Sequence, residues 1–220
     1  MRRAIPFLTV ALLSTVMTRG NAQVLGLPVV NNGVPTGIAF AADVGFSNDD
    51  AGKGTAVGAS AAFGIGLLGL TASVSRFDPK HNDAITSGGV SATLRLFGGP
   101  LIPFRVLLQG GIAHWQQDLA SIEGGVTVKT TRVPVSVGFA ATIPNPAFAI
   151  KPWLAPRLDL YRSSREGGIE TGTDTGSDFA IAGGIDLSML NGLTIRAAYD
   201  RIFRDGSKPS ILSIGVGFAP

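Results

Sequence analysis

The chain has 220 residues, 45% of them hydrophobic and only 15% charged, with 30 glycines and no cysteine. So apolar a chain with so few charges is not disordered, since disorder needs the opposite balance. The lack of cysteine excludes disulfides, thiolate metal sites and a cysteine nucleophile.

Met1 is followed by Arg2 and Arg3, an apolar stretch from Ala4 to Met17, and Gly20-Asn21-Ala22, with small residues where a signal peptidase reads them. Residues 1–22 therefore read as a cleaved secretory signal peptide of the Sec type, too short to span a membrane. Three of the 18 basic residues lie in it, leaving 15 against 15 acidic ones. A balanced mature chain excludes a nucleic-acid partner, which needs a surplus of Lys and Arg. Residues 23–35 carry Gly and Pro at a density that suits a periplasmic N-terminal tail, and 36–220 form the remaining domain.

From Gly37 to Phe46, Ile38, Phe40, Ala42, Val44 and Phe46 alternate with Ala39, Ala41 and Asp43. The next stretch, Gly54 to Ser75, is charge-free and long enough for a membrane helix. Its five glycines and its alternation, with Val57, Phe63 and Ile65 on odd positions and Gly58 and Ser60 on even ones, predict strands instead. The same period of two continues: Leu70 and Val74 against Ser73 and Ser75; Val90 and Leu94 against Ser91 and Arg95; Val106 and Leu108 against Arg105 and Gln109, where Leu107 breaks the pattern. Further on, Val133, Val135 and Val137 oppose Arg132 and Ser136, and Leu158 and Leu160 oppose Arg157 and Asp159. Ile185 and Leu187 oppose Asp186, Ile195 and Tyr199 oppose Arg196 and Asp200, and Leu212, Ile214 and Val216 oppose Ser213 and Gly215. Ten segments of about ten residues each match the length of a tilted strand crossing a bilayer.

The connections alternate as well. Polar loops are predicted at Ser47–Gly54, Asp78–Asp83, Asp118–Thr130, Ser163–Ser177 and Arg204–Pro209, and short or apolar turns at 67–69, 98–103, 143–150 and 190–192. Aromatic residues gather at both strand ends, Phe46, Phe77, Trp115, Tyr161, Phe179, Tyr199 and Phe203 toward the loops and Phe63, Phe97, Phe104, Phe148, Trp153 and Phe218 toward the turns, as in two interfacial girdles.

With these features the chain resembles a small outer-membrane β-barrel protein of Gram-negative bacteria. The resemblance implies an all-β, up-and-down antiparallel transmembrane barrel of about ten strands, with eight as the alternative. It also implies a periplasmic N-terminus, loops at the cell surface, outer-membrane lipid around a monomer, and barrel-assembly machinery as a partner during biogenesis. Such families close on a strand with a terminal aromatic; Ser210 to Phe218 fits, and Ala219-Pro220 extend beyond it. The rival class is a secreted soluble barrel with an apolar interior.

The inward face carries Asp43, Arg95, Arg105, Arg132, Arg157, Asp159, Asp186, Arg196 and Asp200 as lumen-lining candidates. They could line a narrow porin-like channel, or pair and fill the lumen of a structural surface protein. Small inward residues, Ala39, Ala41, Gly58, Ser60, Ser73 and Ser75, would leave one wall open. No catalytic, cofactor or metal site is expected. The Gly64–Gly69 run has dinucleotide spacing but leads into a strand. His81 with Asp78 and Asp83, the sole hint of an outer-membrane protease or lipid-modifying enzyme, reads as a solvated loop, as do Glu170, Asp174 and Asp178, which lack the spacing of a calcium loop.

Overall fold

A computed structural model describes residues 24–33, 36–80, 82–99, 102–119, 126–167 and 171–219. Residues 1–22, expected to be a signal peptide, lie outside the described residues, as do His81 and Glu170. The strands are β1 Gly37–Ser47, β2 Gly54–Ile65, β3 Leu68–Pro79, β4 Ile85–Phe97, β5 Phe104–Leu119, β6 Val126–Ala141, β7 Phe148–Glu166, β8 Gly172–Met189, β9 Leu193–Phe203 and β10 Ser210–Phe218. A two-residue piece, Ile143–Pro144, continues β6 past Thr142 and pairs with Ile150 and Ala149. Each strand is antiparallel to its chain neighbours, and β1 closes on β10 from Phe40↔Phe218 to Ser47↔Ile211. The sheet is a closed ten-strand barrel, and closure removes the unpaired edges that a bilayer cannot solvate.

The alternation places the side chains as the sequence predicts. In β1, Ile38, Phe40, Val44 and Phe46 point outward, while Ala39, Ala41 and Asp43 point in. The former helix candidate is the β2–β3 hairpin, turning at Gly66 with φ 59°. The overall polarity is inside out: Ile65, Leu68, Leu70 and Val90 lie on the exterior, whereas Arg157, Asp159 and Asp200 are buried. That reversal rules out the soluble ligand-carrier alternative, whose apolar face would turn inward.

Two predicted loops are largely strand. The Asp118–Thr130 loop is strand up to Leu119 and again from Val126, and the Ser163–Ser177 loop is strand up to Glu166 and again from Gly172. Crossing a bilayer takes about 9–11 residues, yet β7 has 19 and β8 has 18. These two strands, with the 16-residue β5 and β6, rise past the rim as a paired wall. Water bathes both faces of such a wall, so polar residues such as Lys129, Arg165, Glu166 and Asp174 predominate and the apolar face fades. The exposed Lys129–Glu166 ion pair, at 2.7 Å, joins β6 to β7 there. In the shorter β1–β2 loop, Lys53 donates to Asp49 at 2.9 Å and holds that carboxyl below the usual carboxylate range.

The girdles are thinner than predicted. Phe46, Phe179, Tyr199 and Phe203 face outward near the loop rim, and Phe63, Phe97, Phe104, Phe148 and Phe218 near the turn rim. Phe77, Trp115 and Trp153 are instead buried in the lumen, and Tyr161 shares their inward register. With both tryptophans inside, brominated acyl chains in reconstituted vesicles are expected to leave the fluorescence nearly unquenched. Strong quenching would put at least one indole against lipid.

Residues 24–33 account for those buried rings. The segment expected as a periplasmic tail runs inside the barrel, with Val24, Leu25, Val29 and Asn31 all buried.

Candidate functional site

The lumen is the candidate site, and the plug at 24–33 is its central element. Val24, Leu25 and Leu27 pack with Ala56, Phe77, Ile85, Ala113, Trp115 and Ile211 in an apolar cluster toward the loop side. Gly26, at φ 79°, turns the chain against Ala56 and Phe77. From there the segment descends to Gly33, which lies beside Leu107 and Arg105 near the turn side. Leu107, the residue that broke the alternation of β5, is therefore an inward apolar side chain with a dry partner.

Polar bonds fix the plug along its length. The Leu25 amide donates to Ser87 Oγ at 2.8 Å, and Ser75 Oγ donates to the Leu25 carbonyl at 2.7 Å. The Val29 amide donates to Asp200 Oδ2 at 3.0 Å, and Gln109 Nε2 donates to the Val30 carbonyl at 3.1 Å. Asn31 Nδ2 donates to Ser136 Oγ at 2.9 Å, and Asn32 Nδ2 to the Asp186 carboxylate. Six strands thus contribute partners, and each bond removes a buried polar group that would otherwise be costly. Glycines on the wall make the room: a Cβ at Gly138 would come within 2.5 Å of the Asn31 carbonyl, and one at Gly58 within 2.5 Å of Leu27 Cδ1.

All nine lumen candidates face inward, and they divide into three groups. Arg132, Arg157, Asp159 and Asp200 form one buried chain across β6, β7 and β9. Arg132 pairs with Asp159, Arg157 Nε donates to Asp159 at 3.0 Å, and Arg157 grips Asp200 with both terminal nitrogens at 2.7 and 2.8 Å. Two guanidinium groups thus meet two carboxylates, so the cluster is neutral, as burial demands. Asp186 and Arg196 pair at 3.0 Å in the second group, near Asp43, whose register partner Gly215 has no side chain to crowd its carboxylate. Arg95 and Arg105 lie at the turn side without an ion pair among the described residues.

Other lumen residues escaped the sequence reading. Gln109 was placed inward but not singled out, and Asn31 and Asn32 lay in the supposed tail. Lys151 follows directly on the turn predicted at 143–150 and was given to neither face, although stepping back by twos from Arg157 reaches it. Arg204 pairs with Asp178 at the loop rim and lies over the Tyr161 ring, 5.7 Å from its centroid. Among the described residues no group of His, Asp and Glu could hold a metal ion.

Beside the plug a cavity of about 230 Å³ remains, bounded by Ala39, Ala41, Ser60 and Ser73 of the small residues expected to leave one wall open, whereas Gly58 and Ser75 of that set meet the plug at Leu27 and Leu25. Asp43, Arg105, Lys151, Asp186 and Arg196 supply its charges.

Neither a family model nor a curated protein matches the chain. Among solved structures, the β domain of the Bordetella autotransporter BrkA is similar at a TM-score of 0.52 and 13% identity, over 83% of this chain and 98% of that one. The translocator domain of the autotransporter NalP from Neisseria meningitidis is similar at 0.47 and 14% identity, over 85% and 90%. The chain has the fold of an outer-membrane β-barrel. Its apolar exterior meets lipid, and its charged interior is shielded within the wall, which is the arrangement a bilayer demands. In this outer-membrane barrel the lumen is occupied by the protein's own chain together with a neutral salt-bridge cluster.

Proposed function

We propose that this outer-membrane barrel is a non-enzymatic surface protein with a sealed resting lumen, and that its exposed working surface is the wall formed by β5–β8 beyond the rim. The observation that carries this reading is the plug. Ten residues threaded through the lumen and bonded to six strands occupy much of the space a channel would need. The lumenal carboxylates Asp159, Asp186 and Asp200 are each held by a guanidinium group, so they are poor candidates for a general base.

The test is planar-bilayer conductance of the refolded protein, with insertion verified independently. The wild type is expected to show no discrete steps. Replacing Leu25 and Leu27 together by aspartate puts two charges into the apolar cluster and should free the plug, so that steps appear. Steps from the wild type would overturn the sealed reading in favour of the porin-like channel.

A further inference from the structure

The lumenal cations are not all treated alike. Arg132, Arg157, Arg196 and Arg204 each have an aspartate within ion-pair distance. Arg95, Arg105 and Lys151 have none among the described residues. Arg95 Nη2 donates to the Gly66 carbonyl at 2.9 Å, and its buried Nε has no hydrogen-bond partner. Arg105 Nη2 donates to Thr142 Oγ1 at 2.8 Å. Lys151 is the register partner of Asp186, but that carboxylate already accepts from Arg196 and Asn32. Neutral oxygens satisfy an N–H group without balancing its charge.

These three side chains come from β4, β5 and β7 and meet at the turn-side mouth. Arg105 and Lys151 border the 230 Å³ cavity, and Arg95 and Arg105 border a smaller adjoining hollow beside Gly33 and Leu107. They are close enough for their charges to repel, Arg95 against Arg105 and Arg105 against Lys151, and the Asp186 carboxylate, already engaged by Arg196, offsets this only in part at Lys151. The one carboxylate of the cavity without an ion pair among the described residues, Asp43, stands across the lumen on β1. Half-buried like charges with an empty space between them are unfavourable unless a counter-charge enters.

We propose that Arg95, Arg105 and Lys151 form a binding site for an oxyanion, a phosphate or carboxylate group entering the lumen from the turn side. Two guanidinium forks and an ammonium offer donors in several directions, which suits an oxyanion with many lone pairs and does not suit a halide. The uncharged small residues opposite, Ala41 and Ser60 among them, leave space for the rest of the ligand. The site does not depend on the lumen being sealed, since it lies at the turn-side end of the plug, beside Gly33.

Isothermal titration calorimetry tests the proposal on the complete mature protein, refolded in nonionic detergent at low ionic strength and titrated with inorganic phosphate. A single saturable site is expected. Arg105→Gln combined with Lys151→Gln should weaken it by about tenfold or more, as the loss of two charge-assisted contacts implies. Lys151→Gln alone, at a side chain with no hydrogen bond among the described residues, should give a smaller loss in the same direction and covers the case in which the double variant does not refold. Arg204→Gln, at the opposite rim, should leave the affinity unchanged. Short-chain phosphatidylglycerol, with phosphatidylcholine as control, runs in parallel: binding of this lipid without binding of phosphate supports the site and makes a lipid headgroup its source. No saturable heat from either probe, or equal affinity in the wild type and the Lys151 variant, overturns the proposal.

Discussion

Asp200→Ala is expected to lower folding stability by about 3–5 kcal/mol, the usual consequence of removing one partner from a buried ion pair. The side chain is almost fully buried and receives two bonds from Arg157 and one from the Val29 amide. Its loss leaves Arg157 to share Asp159 with Arg132, with an orphaned plug amide beside them. Adding Arg157→Leu to Asp200→Ala restores neutrality, because Arg132 and Asp159 then balance each other. The double variant should therefore be more stable than Asp200→Ala alone, a coupling that a simple sum of losses would not produce. Urea titrations of the refolded protein, followed by tryptophan fluorescence and by the mobility difference between heated and unheated samples, measure both. A loss below about 1 kcal/mol in the single variant would mean that the cluster is wet and weakly coupled.

Val135→Arg is the second large effect. Val135 lies on the lipid face of β6, 43% exposed and paired with Gly110 and Leu158. A guanidinium there faces hydrocarbon, at a cost of about 2–4 kcal/mol near the bilayer midplane. Ser60→Arg introduces the same group into the cavity on the opposite face of the wall, where solvent and Asp43 can receive it. Refolding yield into vesicles should therefore fall sharply for the first variant and little for the second. Similar yields would contradict the assignment of inner and outer faces.

The lipid–lumen alternation was legible because a bilayer imposes it on every residue it touches, and all nine lumenal candidates, from Asp43 on β1 to Asp200 on β9, follow from that parity. The same rule explains where the reading stopped. Past the rim the constraint lifts, so the ends of β5 to β8 looked like loops. The plug was missed for another reason: a Gly- and Pro-rich stretch without regular structure has no period, and its partners lie far away in sequence, as Val29 and Asp200 do. Indirect signals were present nonetheless. Leu25, Leu27 and Val29 are too apolar for a tail in water, Phe77, Leu107 and Trp115 pointed into a lumen that should be wet, and Gly58 and Gly138 left the wall bare on its inner side. Together they call for an apolar strand of chain inside the barrel.

The plug also constrains the order in which the molecule can come together. It precedes β1 in the chain, yet its contacts include Asp200 on β9 and Ile211 on β10, which are among the last residues to be exported. Its cage is thus incomplete until the final hairpin arrives. The same last two strands that supply Asp200 and Ile211 to the plug also bring β10 to its seam with β1. Shortening that final hairpin is therefore expected to release the plug and open the cylinder together, so that neither is lost alone.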